Sequence, residues 1–247
     1  MAVLVTRPDK QGIELTQMLN QQGIPALHHP LIHIEAGSDL PLLSHALSQA
    51  DFVIIASQHA VHYGQQQLQV EQASWPSSPI YLAIGQKSAQ VLGKYLTQHI
   101  HYPQIGESEH LLCLPQLQQV TNQRILILRG NGGRNLMNET LTQRGATVQM
   151  LALYHRIALP FDASHCVVQW QQANIQHIVI TSSQQLALLV APFHQENTDW
   201  LFKQTLFVPS LRIAQEAKAL GFQRILTIGS AANHDFLAAL MLNSQDA

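Results

Sequence analysis

The fold is decided by residues 125–156, which read ILILRGNGGRNLMNETLTQRGATVQMLALYHR. This stretch begins as an apolar run typical of a buried strand, passes through a glycine-rich loop into a helical apolar pattern, and resumes as an extended run. The same plan occurs at residues 3–34, which read VLVTRPDKQGIELTQMLNQQGIPALHHPLIHI. Equivalent positions are 122 residues apart, as with Gly23 and Gly145 (145 − 23 = 122), which end the two helical patterns. An offset near half the chain length indicates an internal duplication and not a short-period repeat array.

Short apolar strands alternate with helical patterns along both halves of the chain. The predicted strands are residues 2–6, 52–56, 80–84, 125–128, 178–180, 206–208 and 225–228. Asp9 is expected to cap the first helix. Strands that alternate with helices favour parallel sheets with helices on both faces. The sequence therefore predicts an α/β fold of two doubly wound parallel-sheet units related by duplication.

The composition is that of a globular protein. Hydrophobic residues make up 46% and charged residues 11%, which excludes a disordered or fibrous chain. The net charge of −2 provides no broad basic field for nucleic acid. No apolar run approaches the ~20 residues that a membrane span requires, and the opening MAVLVTRP is interpreted as a first strand, not a signal peptide. Cys113 and Cys166 form no CxxC pair, which favours reduced thiols in a cytoplasmic protein.

Common cofactor and catalytic motifs are missing from the sequence. GNGG at residues 130–133 suggests a dinucleotide loop, but Asn135 stands where the third glycine of G-x-G-x-x-G belongs. The 14 histidines form no HExxH frame and no cluster with cysteines or carboxylates. No G-x-S-x-G elbow occurs, and the carboxylates are scattered. We therefore expect neither a metal site nor a cofactor.

The residues that follow the predicted strands are suited to binding anions. Seven junctions offer hydroxyl groups, glycine amides or cations, and ligands of such sheets bind at the carboxyl ends of the strands. The junctions are Thr6-Arg7, Ser57-Gln58, Gly85 to Ser88, Arg129 to Arg134, Thr181 to Ser183, Ser210 to Arg212 and Gly229-Ser230. At any single junction, capping a helix is the commoner role of such residues. Seven such junctions in one chain, four of them with Arg or Lys, favour a polyanionic ligand.

Six short motifs follow one another along the chain: V-T-R-P at residues 5–8, P-L-I at 30–32, A-I-G-x-x-S-A at 83–89, R-G-x-x-G-R at 129–134, G-A-x-V at 145–148 and the tyrosine at 154. In this order they resemble the uroporphyrinogen-III synthase family, and the resemblance covers the whole length of the chain. The resemblance implies two α/β domains, a discontinuous one of residues 1–34 plus 158–247 and a continuous one of residues 38–152. It also implies that the two extended runs, residues 29–34 and 151–156, join the domains as a two-stranded antiparallel linker.

The resemblance further implies a reaction: cyclisation of hydroxymethylbilane, a linear tetrapyrrole with eight carboxylates, to uroporphyrinogen III. Water is lost and ring D is inverted through a spirocyclic pyrrolenine. Tyr154 matches the cleft tyrosine of the family, where a phenol can donate a proton to the leaving hydroxyl. The other residues expected to bind substrate are Thr6, Arg7, Ser57, Gly85, Ser88, Arg129, Ser182, Ser183, Ser210, Arg212 and Ser230. The arginines either bind carboxylates of the substrate or form ordinary ion pairs.

Two other functions stay open at this point. Two doubly wound domains also form non-catalytic small-molecule-binding proteins, although such receptors usually carry an export signal. A nucleotide-using transferase is the third possibility. The expected partner is the tetrapyrrole alone, bound by a monomer in the cytoplasm, with no nucleic acid and no membrane.

Overall fold

The computed structural model describes residues 2–193 and 195–245, and the chain divides into two compact units. Unit 1 comprises Met1–Ile34 and Ile157–Ala247, and unit 2 comprises Glu35–Arg156. The chain therefore passes from one unit to the other twice. The assignment of residues 1–34 plus 158–247 and of residues 38–152 to two domains stays a prediction, because compactness alone does not test independent folding.

Strands and helices alternate through most of the described chain. The strands are β1 (Ala2–Val5), β2 (Ala26–His28), β3 (Ile32–Ala36), β4 (Phe52–Ile55), β5 (Ile80–Ala83), β6 (Ile100–His101), β7 (Arg124–Gly130), β8 (Thr147–Ala158), β9 (Ile175–Val179), β10 (Thr205–Val208) and β11 (Arg224–Thr227). The α-helices are α1 (Asp9–Gln21), α2 (Leu43–Gln49), α3 (Gln58–Val70), α4 (Gln86–Leu92), α5 (Ser108–Leu112), α6 (Leu136–Gln143), α7 (Ala163–Gln172), α8 (Ser183–Val190), α9 (Gln195–Lys203), α10 (Leu211–Leu220) and α11 (Asn233–Gln245). Two 3₁₀ turns, Leu40–Leu42 and Pro115–Leu117, precede α2 and follow α5.

The sheet of unit 1 is parallel, as predicted. Its order is β2-β1-β9-β10-β11, and every neighbouring pair runs in the same direction. Counted along unit 1, this is the order 2-1-3-4-5 of a doubly wound fold. The order reverses between β1 and β9, so the topological switch point of unit 1 lies there.

The sheet of unit 2 repeats this order with strands taken from the other half of the duplication. Its order is β3-β8-β7-β4-β5-β6, and the pairs from β8 to β6 are parallel. β7 and β8 of the second half correspond to β1 and β2 of the first. The unit 1 sheet thus combines two strands from the first half of the chain with three from the second, and the unit 2 sheet combines two strands from the second half with four from the first. The switch point of unit 2 lies between β7 and β4.

β3 and β8 are neighbours along the two connecting segments. The N–H of Leu159 donates to the carbonyl of Leu31 (2.9 Å), and the N–H of Gly37 donates to the carbonyl of Leu153 (3.0 Å). Residue numbers rise on one strand as they fall on the other, which is the pattern of an antiparallel pair. A Cβ on Gly37 would lie 1.9 Å from the carbonyl oxygen of Ala152, so this close approach requires glycine.

The alternation of side chains along β1 places helices on both faces of the unit 1 sheet. Leu4 belongs to a buried cluster with side chains of α7, α8 and α10, among them Trp170. Val3 and Val5 point to the other face, where they join a cluster with side chains of α1 and α11. The sheet is therefore apolar on both faces, as its continuous apolar strand sequences predict.

The first helix begins without the cap predicted for it. Asp9 is its first residue and Pro8 occupies the N-cap position, without a side-chain hydrogen bond. The carboxylate of Asp9 instead accepts from the N–H of Ile34 (3.2 Å) and lies 3.1 Å from Nδ1 of His33. The prediction was wrong because proline tolerates the start of a helix, which left Asp9 to bind the β3 backbone.

Candidate active site

A cavity lies at the switch point of unit 2, where the carboxyl ends of β7 and β4 meet. Its volume is about 160 Å³. It is lined by Ala56, Ile84, Ser108, Arg129, Gly130, Asn131, Gly132, Gly133, Arg134, Met137, Tyr154 and Arg156, all of them in unit 2. These residues include three arginines and no carboxylate, so the lining is cationic. A doubly wound sheet places its ligands at this position.

Tyr154 fills the inner wall of the cavity. Only 2% of its surface is exposed, and Gly130 is its partner residue on β7, next to an irregularity in the strand register. A Cβ on Gly130 would lie 2.5 Å from two carbons of the Tyr154 ring and 3.0 Å from its hydroxyl oxygen. The glycine is therefore required by the ring, because any larger residue would displace it.

Arg156 holds the hydroxyl of Tyr154. Its Nη2 donates to the phenol oxygen at 3.0 Å, and its guanidinium carbon lies 5.5 Å from the centroid of the ring. The backbone of Arg156 is fixed separately, since its N–H donates to Oδ1 of Asn131 at 2.6 Å. The hydrogen bond from Arg156 uses a lone pair of the phenol oxygen. Among the described residues, no acceptor is recorded for the O–H proton.

Two side chains of α3 pack near the ring of Tyr154. The ring of His59 lies 5.3 Å from it, and Tyr63 stacks against it at a centroid distance of 6.4 Å. The two residues are four positions apart and therefore lie on one face of α3. This helix begins at the carboxyl end of β4. His59, Tyr63 and Arg156 were not among the residues predicted to bind substrate, and Asn131 was predicted only as part of the junction Arg129 to Arg134. The i, i+4 spacing of His59 and Tyr63 directly after a strand end is a signal that could have found the pair.

Arg129 is engaged by the glycine loop. Its guanidinium donates to the carbonyls of Gly130 (3.2 Å), Arg134 (3.3 Å) and Gly132. Gly132 and Gly133 have φ values of +73° and +92°, which glycine adopts readily, and the loop can therefore curl around the guanidinium. Arg129 thus shapes the wall of the cavity.

Arg134 is paired with Glu109 of α5. The two side chains form a double hydrogen bond, with 2.9 Å between Nη2 and Oε2. The guanidinium holds the pKa of Glu109 below its usual value. Both side chains are largely exposed, so the pair contributes little to stability. Of the three arginines that line the cavity, Arg156 is the one that binds Tyr154.

The remaining predicted residues of unit 2 lie beside the cavity. Ser57 caps α3 by accepting from the N–H of Ala60 at 3.4 Å. Gly85 occupies the N-cap position of α4, and Ser88 is buried within that helix. Each follows a strand whose next residue, Ala56 or Ile84, lines the cavity. Their role as substrate ligands stays a prediction.

In unit 1, Thr6 and Arg7 at the end of β1 are bound by the protein itself. Thr6 Oγ1 donates to the carbonyl of Val179 at 2.7 Å. Arg7 is 6% exposed, and it donates to the carbonyl of Ala231 (2.8 Å) and to side-chain oxygens of Asn233 and Gln11 (both 2.7 Å). Burial lowers the pKa of Arg7 to about 10, against the opposing charge of Glu14. These contacts join β1 to α1 and to the start of α11.

The predicted serines of unit 1 cap helices and turns. Ser182 accepts from Gln185 N–H (3.2 Å), Ser210 from Ile213 N–H (3.5 Å) and Ser230 from Ala232 N–H (3.1 Å). Arg212 donates to Ser183 Oγ (2.7 Å) and to Glu216 (2.9 Å), with 69% of its side chain exposed. Capping was the alternative left open for these hydroxyls. Arg212 is an exposed cation at this edge, and an anion can reach it without breaking a buried contact.

Two features are absent from residues 2–193 and 195–245, and their absence bears on the kind of site. Within these ranges, no group of three or more His, Cys, Asp or Glu side chains could hold a metal ion. The same ranges contain no helix long and apolar enough to span a membrane. The fold and the site define a two-unit α/β protein with a cationic cavity that presents a buried phenol.

The family follows from comparison with known proteins. The model of the family described as uroporphyrinogen-III synthase HemD matches residues 13–233. The chain belongs to the uroporphyrinogen-III synthase family. The uroporphyrinogen-III synthase of Escherichia coli (strain K12) is 42% identical, and that of Salmonella typhimurium (strain LT2) is 40% identical. Each match covers 97% of this chain and 100% of the relative.

Solved structures show the same fold. A mutant uroporphyrinogen III synthase from the extremely thermophilic bacterium Thermus thermophilus superposes over 100% of both chains with a TM-score of 0.75, at 15% identity. Uroporphyrinogen-III synthetase from Helicobacter pylori 26695 gives a TM-score of 0.58 over 98% of this chain and 99% of that chain, at 14% identity. The predicted α/β class and the family resemblance are confirmed.

Proposed function

We propose that this chain cyclises hydroxymethylbilane to uroporphyrinogen III. In that reaction the hydroxyl of the substrate takes up a proton and leaves as water. The substituted carbon of ring D attacks the resulting azafulvene cation to give a spirocyclic pyrrolenine. The pyrrolenine fragments and recloses with ring D inverted. The observation that carries the proposal is the Tyr154–Arg156 pair at the switch-point cavity of a chain that belongs to this family.

Tyr154 is proposed as the proton donor for the departure of water. Its oxygen accepts a hydrogen bond from Arg156, so the O–H proton can point toward a ligand in the cavity. As the proton moves to the leaving hydroxyl, negative charge grows on the phenol oxygen. A guanidinium 3.0 Å away stabilises that charge, and the buried setting strengthens the effect.

The size of the cavity limits what it holds. Its volume of about 160 Å³ is below the ~300–1,000 Å³ of typical small-molecule sites. We propose that it receives one end of the bilane, the hydroxymethyl group with the ring that bears it. The cationic lining suits the carboxylates of that ring, and the buried wall restricts water around the reacting carbon.

The other predicted ligands are proposed for the remaining carboxylates. Arg212 is the best placed in unit 1, because its guanidinium is exposed and Ser183 orients it. Arg7 is proposed as a positioning residue whose contacts fix the end of β1. Arg129 is proposed to hold the glycine loop in place. Thr6, Ser57, Gly85, Ser88, Ser182, Ser210 and Ser230 remain proposed ligands through hydroxyl groups or backbone N–H groups at the strand ends.

The reaction is tested by supplying enzymatically generated hydroxymethylbilane and separating the product isomers. Spontaneous closure gives the type I isomer, so the fraction of type III measures turnover by the protein. We expect the type III isomer to dominate with the parent chain. In Tyr154→Phe the fraction of type III should fall as the rate of the enzymatic reaction falls. A product that is type I with folded parent protein would contradict the proposed function.

We further propose that the chain works as a monomer in the cytoplasm. The described residues that line the cavity all belong to unit 2. Cys113 is a free, exposed thiol, which suits a reducing compartment, and burial raises the pKa of the Cys166 thiol. Light scattering on the purified chain checks the monomer, and localisation of a tagged copy checks the compartment.

A further inference from the structure

A second cavity lies at the amino-terminal edge of the unit 1 sheet, where β9, β10 and β11 begin. Its volume is about 770 Å³, within the ~300–1,000 Å³ of small-molecule sites. It is lined by Gln176, His177, Lys203, Gln204, Thr205, Gln223, Arg224, Ile225, Leu226 and Asn243. The junctions that predict substrate binding lie at the opposite edge of the same sheet, so the proposed reaction does not use this cavity.

The strand register places three polar side chains in one row. Thr205 of β10 pairs with His177 on one side and with Arg224 on the other. Paired residues of a parallel sheet point to the same face, so the three side chains lie next to one another. This is the face that α1 and α11 cover, because the next residue of β10 on it, Phe207, packs with side chains of those helices.

The helical cover ends before it reaches the edge strand. Phe207 is fully buried, whereas its partner on β11, Leu226, is 36% exposed. Asn243, near the end of α11, lines the cavity from above. β11 therefore presents a partly exposed apolar side chain, Leu226, beside the polar row.

One ring nitrogen of His177 lacks a hydrogen-bond partner. The residue is 9% exposed, and its Nδ1 is buried without a hydrogen-bond partner in the described chain. Its ring lies 5.2 Å from that of Phe207. Burial lowers its pKa, with the charge of Arg224 adding to the effect, so the ring is held neutral. An unpaired buried nitrogen costs free energy that a bound group can recover.

The charge of the lining selects the ligand. Lys203 and Arg224 are cationic, and no aspartate or glutamate is among the described residues that line this cavity. Arg224 Nη2 donates to the carbonyl of Lys203 at 2.6 Å, which holds the guanidinium at the rim. We propose that this cavity is a binding site for a small molecule that joins an anionic group to an apolar ring. The anion contacts Arg224 and Lys203, and the ring lies against Leu226.

The probe for this site is 1-anilinonaphthalene-8-sulfonate, which joins a sulfonate to apolar rings. We expect saturable fluorescence titration with the parent chain and about tenfold weaker binding in Arg224→Gln and in Lys203→Gln, because each loses a charge-assisted contact. The neutral analogue N-phenyl-1-naphthylamine should bind less tightly than the sulfonate. Inorganic phosphate, which lacks a ring, should compete only weakly.

Lys218→Gln is the matched control, since Lys218 is exposed on α10 of the same unit and does not line the cavity. It should bind the probe like the parent. Backbone amide NMR shifts should locate the probe at Leu226 and Asn243. Lys203 is exposed and its loss leaves the fold intact, so that variant decides the matter if Arg224→Gln unfolds. Unchanged affinity in Lys203→Gln, or shifts confined to Gly130 and Tyr154, would overturn the proposal.

Discussion

The ring of Tyr154 occupies the space that a side chain at residue 130 would fill. The two residues are partners on β8 and β7, and a Cβ at Gly130 would lie 2.5 Å from the ring carbons. The missing side chain at Gly130 leaves room for the ring, and the hydrogen bond from Arg156 holds its hydroxyl. Together they position the phenol in the cavity. This relationship makes the position of the ring testable without removal of any polar group.

Gly130→Ala should lower turnover strongly. The added methyl group must push the Tyr154 ring away from its place, so we expect a loss of about 2 kcal/mol or more in transition-state stabilisation, on the order of 30-fold in rate. Gly106→Ala is the control, because its Cβ would meet only ordinary contacts at 3.5 Å. Steady-state rates of both variants test the predicted loss. Parental turnover in Gly130→Ala would contradict the placement of the Tyr154 ring.

Tyr154→Phe should slow the reaction while the fold is kept. The substitution removes one oxygen and retains the shape and apolar area of the ring. Loss of a donor to the leaving hydroxyl should cost about 2–3 kcal/mol, on the order of 10²-fold in rate. Product formed by the enzyme should stay type III. A folded variant with parental turnover would remove Tyr154 from the chemistry.

Arg156→Gln should lower turnover, and Arg156→Lys should recover part of it. Glutamine removes the charge beside the phenol oxygen, whereas lysine keeps a charge but not the guanidinium geometry. We expect a loss of about tenfold or more for glutamine and a smaller loss for lysine. The backbone contact to Asn131 is untouched in both variants. Equal rates in the two variants would show that the charge plays no part.

Arg7→Gln and Arg212→Gln should differ in what they change. Arg7 is buried with three acceptors, so its loss should destabilise the fold by about 2–4 kcal/mol, measured by urea unfolding. Arg212 is exposed, so its loss should leave stability within about 0.5 kcal/mol and raise KM, most clearly at low salt. An Arg7 variant of parental stability would refute the positioning role.

Unit 2 should fold when residues 35–156 are produced alone. The strands of its sheet from β7 to β6 lie within that range, as do residues 147–156 of β8 and the residues that line the cavity. Unit 1 should fold when a short Gly–Ser linker replaces residues 35–156, because Leu31 and Leu159 are hydrogen-bonded near the ends to be joined. Cooperative thermal unfolding of each fragment checks this. Two unfolded fragments would contradict the two-domain assignment.

The order of strands and helices could be predicted because buried parallel strands have continuous apolar sequences. Gly23 and Gly145 were predicted as helix ends, and both adopt a positive φ. The exchange of strands between the halves could not be predicted from the duplication, since either half would satisfy the same hydrophobic pattern alone. Only the family resemblance implied it.

The site was predicted in part. Tyr154 was found through the family motif, but Arg156 was missed because its contact depends on two side chains on the same face of β8. The hydroxyls of Ser182, Ser210 and Ser230 were predicted to bind substrate from their positions after strands and from the family resemblance; in the structure they accept from nearby N–H groups, and their role as ligands stays a prediction. Sequence patterns do not separate these roles, because both require a hydroxyl at a helix start.

The exchange of strands also dictates the order in which the chain can fold during synthesis. Unit 2 is complete once Arg156 has been made, whereas β1 must wait for β9; Thr6, at the end of β1, bonds Val179, 173 residues away. The remaining stretch of roughly 90 residues takes on the order of 5–20 s at ribosomal rates of ~5–20 residues per second. β1 exposes an unpaired edge until β9 has been made, and an apolar face until α11 has been made near the end of that interval. The nascent amino terminus is thus the part of this protein most in need of a chaperone.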